Sequence, residues 1–218
     1  LDTIPGFEPR ERAWLKWMCG YAYRAMGQLQ QAIQDYEIAL DISHKNNTEW
    51  VDIATDLGIA YRFSGKLSQA VQVFQGALVQ AEEYGMRNKG NLSRVEACLS
   101  AALCDQNRLE EALQHAQKGV HYLQWWPSHN HITTAYVYLG LALLGWGRLD
   151  EAAEALQTAA QEQYKGQVMP TVNRLVEYAS IRLWLRCGKW DLLDRWLAAQ
   201  QVDLPDLSSA SRLFNEYE

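Results

Sequence analysis

Two histidines in the segment Trp125-Trp126-Pro127-Ser128-His129-Asn130-His131 come closest, by type and spacing, to a metal-binding site. Two imidazoles in a His-x-His arrangement can ligate a transition metal. A complete site needs further ligands, and no third ligand follows at a helical or turn spacing. We therefore expect no bound metal and interpret the segment as a structural loop, anchored to the neighbouring helices by its tandem tryptophans.

Motifs of the common catalytic sites are missing from the sequence. It has no GxxxxGK[ST] phosphate loop, no GxSxG elbow, no HExxH and no GxGxxG after a strand pattern. The acidic pairs Glu110-Glu111 and Asp150-Glu151 begin predicted helices, where negative charge complements the helix dipole. We expect a protein that acts by binding rather than as an enzyme, with no cofactor.

The composition predicts a folded, helical protein. The chain has 218 residues, of which 48% are hydrophobic and 21% charged, with 9 Trp, 11 Tyr and only 5 Pro. A net charge of -6 without any Lys/Arg-rich run argues against direct nucleic-acid contact by this segment. Apolar runs such as 135–147 are shorter than the roughly 18 residues that a membrane span needs, so we expect no membrane insertion.

Cysteine usage and the two ends of the sequence carry further expectations. Cys19, Cys98, Cys104 and Cys187 lie in helical patterns without CxxC spacing, which favours packed, reduced thiols and a cytoplasmic location. The sequence opens without a leader peptide, and residues 208–218 have the pattern of a further helix. We expect a single repeat domain that is a fragment of a longer protein.

An internal repeat of about 40 residues organises the chain. The segment 61–70 aligns with 23–32, and further copies follow at similar steps, with the third and fifth copies the most divergent. Six positions in register between the first two copies make chance recurrence of alanine a poor explanation. The repeated positions are Gly20, Tyr23, Gly27, Ala32, Tyr36 and Ala39 in the first copy, and Gly58, Tyr61, Gly65, Ala70, Phe74 and Ala77 in the second.

Each repeated position has a predicted structural role. Small residues, such as Gly20 opposite Ala32, are expected to let the two helices of a pair approach closely. Large residues, such as Tyr36, are expected to fill the space between one pair and the next. Gly27 and its equivalents, with Asn107 in the third copy, are expected to end the first helix in a left-handed conformation.

The predicted fold is all-α: a right-handed superhelical stack of antiparallel helix pairs resembling tetratricopeptide (TPR) repeats. The step between copies exceeds the 34 residues of a standard TPR. The additional residues are expected to lengthen second helices and linkers, as in 80–91 and 124–131. About five pairs are predicted, roughly at 10–45, 49–85, 92–124, 131–164 and 171–201.

In such a stack the first helices of successive pairs line the concave surface, where a ligand or partner binds. We call the corresponding positions the first-helix stripe; its middle is small and apolar and is expected to form a pocket floor. Trp14 and Trp17 have an alternative role, which is to cover the end of the stack. The candidate binding residues are Trp14, Trp17, Tyr21, Arg24, Asp52, Arg62, Arg94, Tyr178 and Arg182, and the stripe also includes Thr55, Ile59, Ala97, Ala101, Cys104, Thr134, Val137, Leu141, Leu144, Leu175 and Leu185.

Repeats of about 40 residues, the segment Gly147-Arg148-Leu149-Asp150-Glu151-Ala152-Ala153 and the tail from Arg182 to Ala198 make the chain resemble a known domain. It is similar to the helical-repeat domain of MalT-like, large ATP-binding regulators of the LuxR family. The resemblance implies flanking ATPase and helix-turn-helix modules. It also implies a sensor role, in which a small-molecule inducer or a protein partner controls self-association and promoter activation.

A different class of function is also compatible with the repeats. A stand-alone TPR scaffold would bind an extended peptide or helix of a partner protein in its concave groove. A phosphate loop upstream and a helix-turn-helix downstream in the full-length protein would favour the regulator, and the lack of both would favour the scaffold.

Overall fold

The computed structural model describes residues 7–46, 50–83, 89–125 and 127–200. Within them all regular structure is helical, and consecutive helices pack as antiparallel pairs, α1 with α2 through α9 with α10. The predicted all-α stack of TPR-like helix pairs is confirmed. The helices are α1 (Pro9–Ala25), α2 (Leu29–Asn46), α3 (Trp50–Phe63), α4 (Leu67–Glu83), α5 (Lys89–Asp105), α6 (Leu109–Tyr122), α7 (His129–Trp146), α8 (Leu149–Lys165), α9 (Pro170–Arg186) and α10 (Trp190–Ala199), with one 3-10 turn at Leu123–Trp125.

The turn inside each pair is built in the same way five times. A left-handed residue follows the first helix, with φ between 59° at Asn107 and 81° at Gly147. The next residue's amide donates back to a carbonyl five residues earlier, for example Gln28 N to Tyr23 O at 2.9 Å. This is the Schellman arrangement, which satisfies the carbonyls at a helix end. The predicted role of these glycines and of Asn107 is confirmed.

Glycines in the first helices receive large side chains rather than small ones. A Cβ on Gly20 would lie 2.7 Å from the Tyr36 ring, and one on Gly140 would lie 2.7 Å from Leu156. A Cβ on Gly58 would overlap the Phe74 ring. At Gly20 and Gly58 the expectation that small residues face each other, with Tyr36 and Phe74 between pairs, is therefore wrong. At Gly140 the predicted small partner is also close, since a Cβ there would lie 3.4 Å from Ala152 O. Each large side chain of the second helix occupies the space that its own partner's glycine leaves free.

Contacts between pairs use other members of the repeat. The Tyr61 hydroxyl of α3 donates to Glu37 of α2 at 2.5 Å, and so joins the second pair to the first. Burial of this phenol raises its pKa to about 12, and the hydrogen bond to Glu37 adds to the shift. First helices also pack on one another, α3 against α5, α5 against α7 and α7 against α9. These first-helix contacts position the candidate residues of the stripe.

Several predicted segments fall partly outside the described residues. The linker expected at 80–91 contains the end of α4 and the start of α5, while 84–88 are not described. Trp126 and the helix expected at 208–218 also lie outside the described residues. The interpretation of the chain as one domain of a longer protein stays a prediction.

The buried core extends as far as Val176, Ala179 and Leu183 of α9, and α10 contributes no residue to it. All four cysteines are free thiols, as predicted, and Cys98 is buried. None of the helices in the described ranges combines the length and apolar character needed to cross a bilayer.

Candidate functional site

The apolar middle of the first-helix stripe is part of the core. Ala97 and Ala101 of α5 and Val137, Leu141 and Leu144 of α7 are between 0% and 8% exposed. The expectation that they form an accessible pocket floor is therefore wrong. Because α5 and α7 pack directly on each other, the apolar side chains of the stripe are used to join the third pair to the fourth.

A buried carboxylate, Asp56 of α3, joins the first three pairs. It is 3% exposed, and its Oδ2 accepts a hydrogen bond from Trp17 Nε1 at 2.7 Å. Its Oδ1 accepts one from Arg94 Nη2 at 2.5 Å, and Arg24 Nη2 lies 3.7 Å away. Such burial is tolerated only where charge and hydrogen-bonding capacity are satisfied. Trp17 and Arg24 of α1 and Arg94 of α5 meet that need together, and we call this group, with Asp52, the Asp56 cluster.

Asp52 completes the Asp56 cluster one helical turn earlier. Its Oδ2 accepts from Asn91 at 2.9 Å, and its Oδ1 lies 3.6 Å from Arg94. Burial alone would lower the pKa of the Arg94 guanidinium, but the charge of Asp56 and the other anionic neighbours outweigh that, so the pKa lies above its ordinary value. Four of the nine candidate residues, Trp17, Arg24, Asp52 and Arg94, are thus brought together around Asp56.

Arg62 belongs to a separate ion pair. Its Nε donates to Asp105 Oδ2 at 2.5 Å and its Nη2 to Oδ1 at 3.3 Å, so the guanidinium grips the carboxylate with two nitrogens. Cys104 lies beside this pair: burial raises the pKa of its thiol to about 11, the charge of Asp105 adds to the shift, and Arg62 and Arg182 oppose it. Asp105 of the third pair and Arg182 of the fifth pair therefore both lie close enough to Cys104 to influence its pKa.

Two exposed tyrosines each carry an arginine from the next turn of the same helix. The Arg24 guanidinium lies 5.1 Å from the centre of the Tyr21 ring on α1. On α9, Arg182 lies 5.6 Å from the centre of the Tyr178 ring and donates to the Tyr178 hydroxyl at 3.2 Å. Tyr21 is 37% exposed and Tyr178 is 49% exposed. Tyr21 with Arg24 and Tyr178 with Arg182 thus form one Tyr–Arg pair near each end of the stripe.

Trp14 and Trp17 differ in their surroundings. Trp14 is 51% exposed, and it lines a shallow cleft together with Phe7, Leu15 and Trp17. Trp17 is partly buried against the core and holds Asp56. Trp14 has the exposure that either predicted role requires, contact with a ligand or with a further helix at the end of the stack. Trp17 has an additional contact that was not predicted, its hydrogen bond to Asp56 of the next pair.

The His-x-His segment places its two imidazoles in different environments. His129 Nδ1 lies 3.1 Å from Glu162 Oε2 of α8, and His131 Nδ1 lies 2.6 Å from Ser128 Oγ, which caps α7. Burial lowers the pKa of His131, and the charge of Arg94 adds to the shift. The Trp125 ring packs against His121 of the preceding helix α6, with 5.4 Å between the two ring centres. No cluster of three potential metal ligands occurs in the part of the chain that the structure describes.

Asp56 is the central residue of this cluster, and the sequence-based prediction missed it. It lies within the apolar segment Ile53 to Gly58, on a helix that is buried along most of its length. A single carboxylate at such a position needs a cationic partner. The sequence therefore indicates that Asp56 needs a partner. Its partners Arg94 and Trp17 are 38 and 39 positions away, and no local pattern identifies them.

The sequence as a whole matches one protein-family model, that of the MalT-like TPR region, over residues 1–218. The chain belongs to this family. The resemblance inferred from the repeat length and the tail is therefore confirmed at the level of the domain. No curated protein matches the sequence at a significant level.

Solved structures with the same fold share little sequence with the chain. A Rap protein complexed with Competence and Sporulation Factor superposes with a TM-score of 0.73 at 17% identity, over 88% of this chain and 55% of the Rap chain. A thermophilic TPR protein of Thermus thermophilus gives 0.65 at 17% identity, over 92% and 96% of the two chains. TPR-like repeats of a putative kinesin light chain from Podosopora anserina give 0.63 at 19% identity, over 91% and 100%.

The MalT-like TPR chain spans only about half of the Rap protein, so the likeness concerns the fold. Together with the family match, it makes the chain a helical-repeat protein-interaction domain. Repeat domains of this type are generally scaffolds rather than enzymes.

Proposed function

We propose that the chain is the ligand- or partner-binding sensor domain of a MalT-like LuxR-family transcriptional regulator, and that it controls self-association and activation of that regulator. The single observation that carries the proposal is the match to the MalT-like TPR region over all 218 residues. The effector is a small molecule or a protein that binds along the first-helix stripe.

The charges on the stripe support a binding role. Four arginines, Arg24, Arg62, Arg94 and Arg182, lie on or beside it with three aspartates, whereas the chain as a whole carries a net charge of -6. The exposed rings of Tyr21 and Tyr178 lie beside Arg24 and Arg182, the two arginines nearest the ends of the stripe. Arginine and aromatic residues provide much contact area with few rotors to immobilise.

The arrangement of the Asp56 cluster provides a route from binding to assembly. Its members come from α1, α3 and α5, so a ligand that contacts any of them acts on the packing of three pairs. A ligand that binds one arrangement of the stack better than another shifts the population toward it. The differential affinity then favours the self-associated form of the regulator.

The proposal is tested with the full-length protein. Its reading frame is expected to encode a phosphate-loop ATPase module before the repeats and a helix-turn-helix after them. Sedimentation velocity of that protein with ATP is expected to show a larger assembly when a cellular metabolite fraction or a partner protein is added. A reading frame with neither module would contradict the regulator.

The alternative is a stand-alone TPR scaffold that binds a partner-protein peptide in the concave groove. The superposition on the Rap protein in complex with Competence and Sporulation Factor favours this possibility, because that stack is seen with a bound factor. A full-length reading frame that encodes neither flanking module, together with capture of a defined peptide by the chain, would support the scaffold over the regulator.

A further inference from the structure

We infer that the two Tyr–Arg pairs near the ends of the first-helix stripe, Tyr21 with Arg24 and Tyr178 with Arg182, bind two carboxylates of one extended acidic peptide. The inference rests on the proposed function, since it names the chemistry of the ligand that the stripe receives.

Two of the four arginines already have strong carboxylate partners inside the chain. Arg94 lies 2.5 Å from Asp56 and 3.6 Å from Asp52, and Arg62 grips Asp105 with two nitrogens. A ligand carboxylate could reach either guanidinium only by displacing an internal partner. We therefore assign Arg62 and Arg94 to holding the stack together and not to the first contact with the peptide.

Arg182 is the arginine most available to a ligand. In the described part of the chain no carboxylate lies within ion-pair distance of its guanidinium. Its Nη1 donates to the Tyr178 hydroxyl at 3.2 Å. The planar guanidinium retains further N–H groups that match the two oxygens of a carboxylate. The exposed Tyr178 ring beside it offers apolar contact to the adjacent part of the ligand.

Arg24 has a weaker internal hold than Arg94. Its Nε donates to the Tyr36 hydroxyl at 3.3 Å, while its Nη2 lies 3.7 Å from Asp56, which is an ion-pair contact too long for a hydrogen bond. The terminal N–H groups can therefore donate to a second carboxylate. Because Asp56 partly neutralises Arg24, we expect this end to bind more weakly than the Arg182 end.

The separation of the two ends sets the length of the peptide. From α1 to α9 the first helices advance by four steps, each of about 8–10 Å between axes, which gives about 30–40 Å. An extended chain covers about 3.3 Å per residue, so about ten to twelve residues span the two arginines. The negative net charge of the chain repels acidic peptides in general. Any preference for acidic residues must therefore come from local groups.

The test is selection from a soluble library of randomised dodecapeptides, acetylated and amidated so that every carboxylate is an Asp or Glu side chain. The 218-residue chain retains bound peptides, which are then sequenced by mass spectrometry. Arg24→Gln and Arg182→Gln are the test variants. Arg148→Gln is the matched control, because Arg148 is an exposed arginine paired with Glu151 at the turn before α8. A cooperative thermal unfolding transition well above the temperature of the selection verifies that each variant is folded.

The inference predicts several-fold enrichment of Asp and Glu at two separated positions among the retained peptides. Arg182→Gln should abolish it at one position and Arg24→Gln at the other, while Arg148→Gln retains both. Retained peptides without acidic enrichment, or with enrichment that neither variant changes, would overturn the inference while peptide binding itself stands. If no peptide is retained, the inference is overturned, and the assembly measurement on the full-length protein decides the proposed function independently.

Discussion

The contact between the second and third helix pairs differs in chemistry from the contact between the third and fourth. Both are contacts between successive first helices. Between α3 and α5 the contact includes the buried Asp56–Arg94 ion pair, whereas between α5 and α7 apolar side chains such as Val137 and Leu141 are buried. The repeat therefore fixes where neighbouring helices meet, and leaves open whether charge or apolar surface joins them.

This difference separates two tasks along one surface. Between the third and fourth pairs, buried apolar side chains join the helices but do not position a charged group on the stripe. The charged contact in the first three pairs joins helices and also fixes arginines near the surface, although it requires the burial of Asp56. Fixing Arg94 there leaves the less constrained Arg24 and Arg182 to contact a ligand.

The largest expected effect comes from removing the shared carboxylate. Asp56→Ala leaves Arg94 and the Trp17 indole N–H without their acceptor, and breaking a buried ion pair costs about 3–5 kcal/mol of unfolding free energy. Urea unfolding followed by circular dichroism measures the loss. Asp105→Ala is the control. It removes the partner of Arg62, which is more exposed than Asp56, and should cost about 1 kcal/mol or less. Equal losses would contradict the special role of Asp56.

Packing inside a pair should be equally strict in both regions. Gly58→Leu would drive a side chain into the Phe74 ring, and Gly140→Leu would do the same to Leu156. Such overpacking costs about 1–3 kcal/mol. Gly76→Leu in α4 is the control, since a Cβ there meets no atom within 4 Å, and it should leave stability unchanged or raise it. Melting temperatures that fall for Gly76→Leu as much as for Gly58→Leu would refute the assigned packing.

Two buried threonines provide a matched, smaller test. The Thr55 hydroxyl of α3 donates to Val51 O at 2.6 Å, whereas the buried Thr133 hydroxyl of α7 has no hydrogen-bond partner among the residues that the structure describes. Replacing Thr133 with Val removes an unsatisfied polar atom and should stabilise by up to about 1 kcal/mol. Thr55→Val loses a made hydrogen bond and should cost about 1 kcal/mol. Chemical unfolding curves that shift in the same direction for both variants would contradict this assignment.

The smallest expected effect is a pH dependence that links the two regions through His131 and Arg94. Burial and the Arg94 charge lower the pKa of His131 in the folded state. The unfolded chain therefore takes up the proton first, and stability falls as the pH drops below the ordinary histidine value of about 6.5. His131→Gln should flatten the decline in unfolding free energy between about pH 7 and pH 5.5. An unchanged slope would show that His131 does not contribute.

The sequence predicts the parts of this structure that depend on short spacings. Gly27 and Asn107 end first helices as expected, because a left-handed residue is a local requirement. The expected packing around Gly58 and Phe74 is wrong, since a missing Cβ indicates close packing without naming the side chain that fills the space. The Asp56 cluster escapes prediction because its members come from three copies of the repeat, and a single sequence does not show which distant charges meet.

Arginines on one surface of the stack have different tasks, and the unfolding free energies of Arg94→Gln and Arg182→Gln distinguish these tasks. Both substitutions remove one charge from a first helix, and both variants can be measured by urea unfolding under identical conditions. Arg94→Gln should lower the unfolding free energy by at least about 2 kcal/mol, because Asp56 is left without its closest cation. Arg182→Gln should stay within about 0.5 kcal/mol of the unsubstituted chain. Equal losses in the two variants would contradict it.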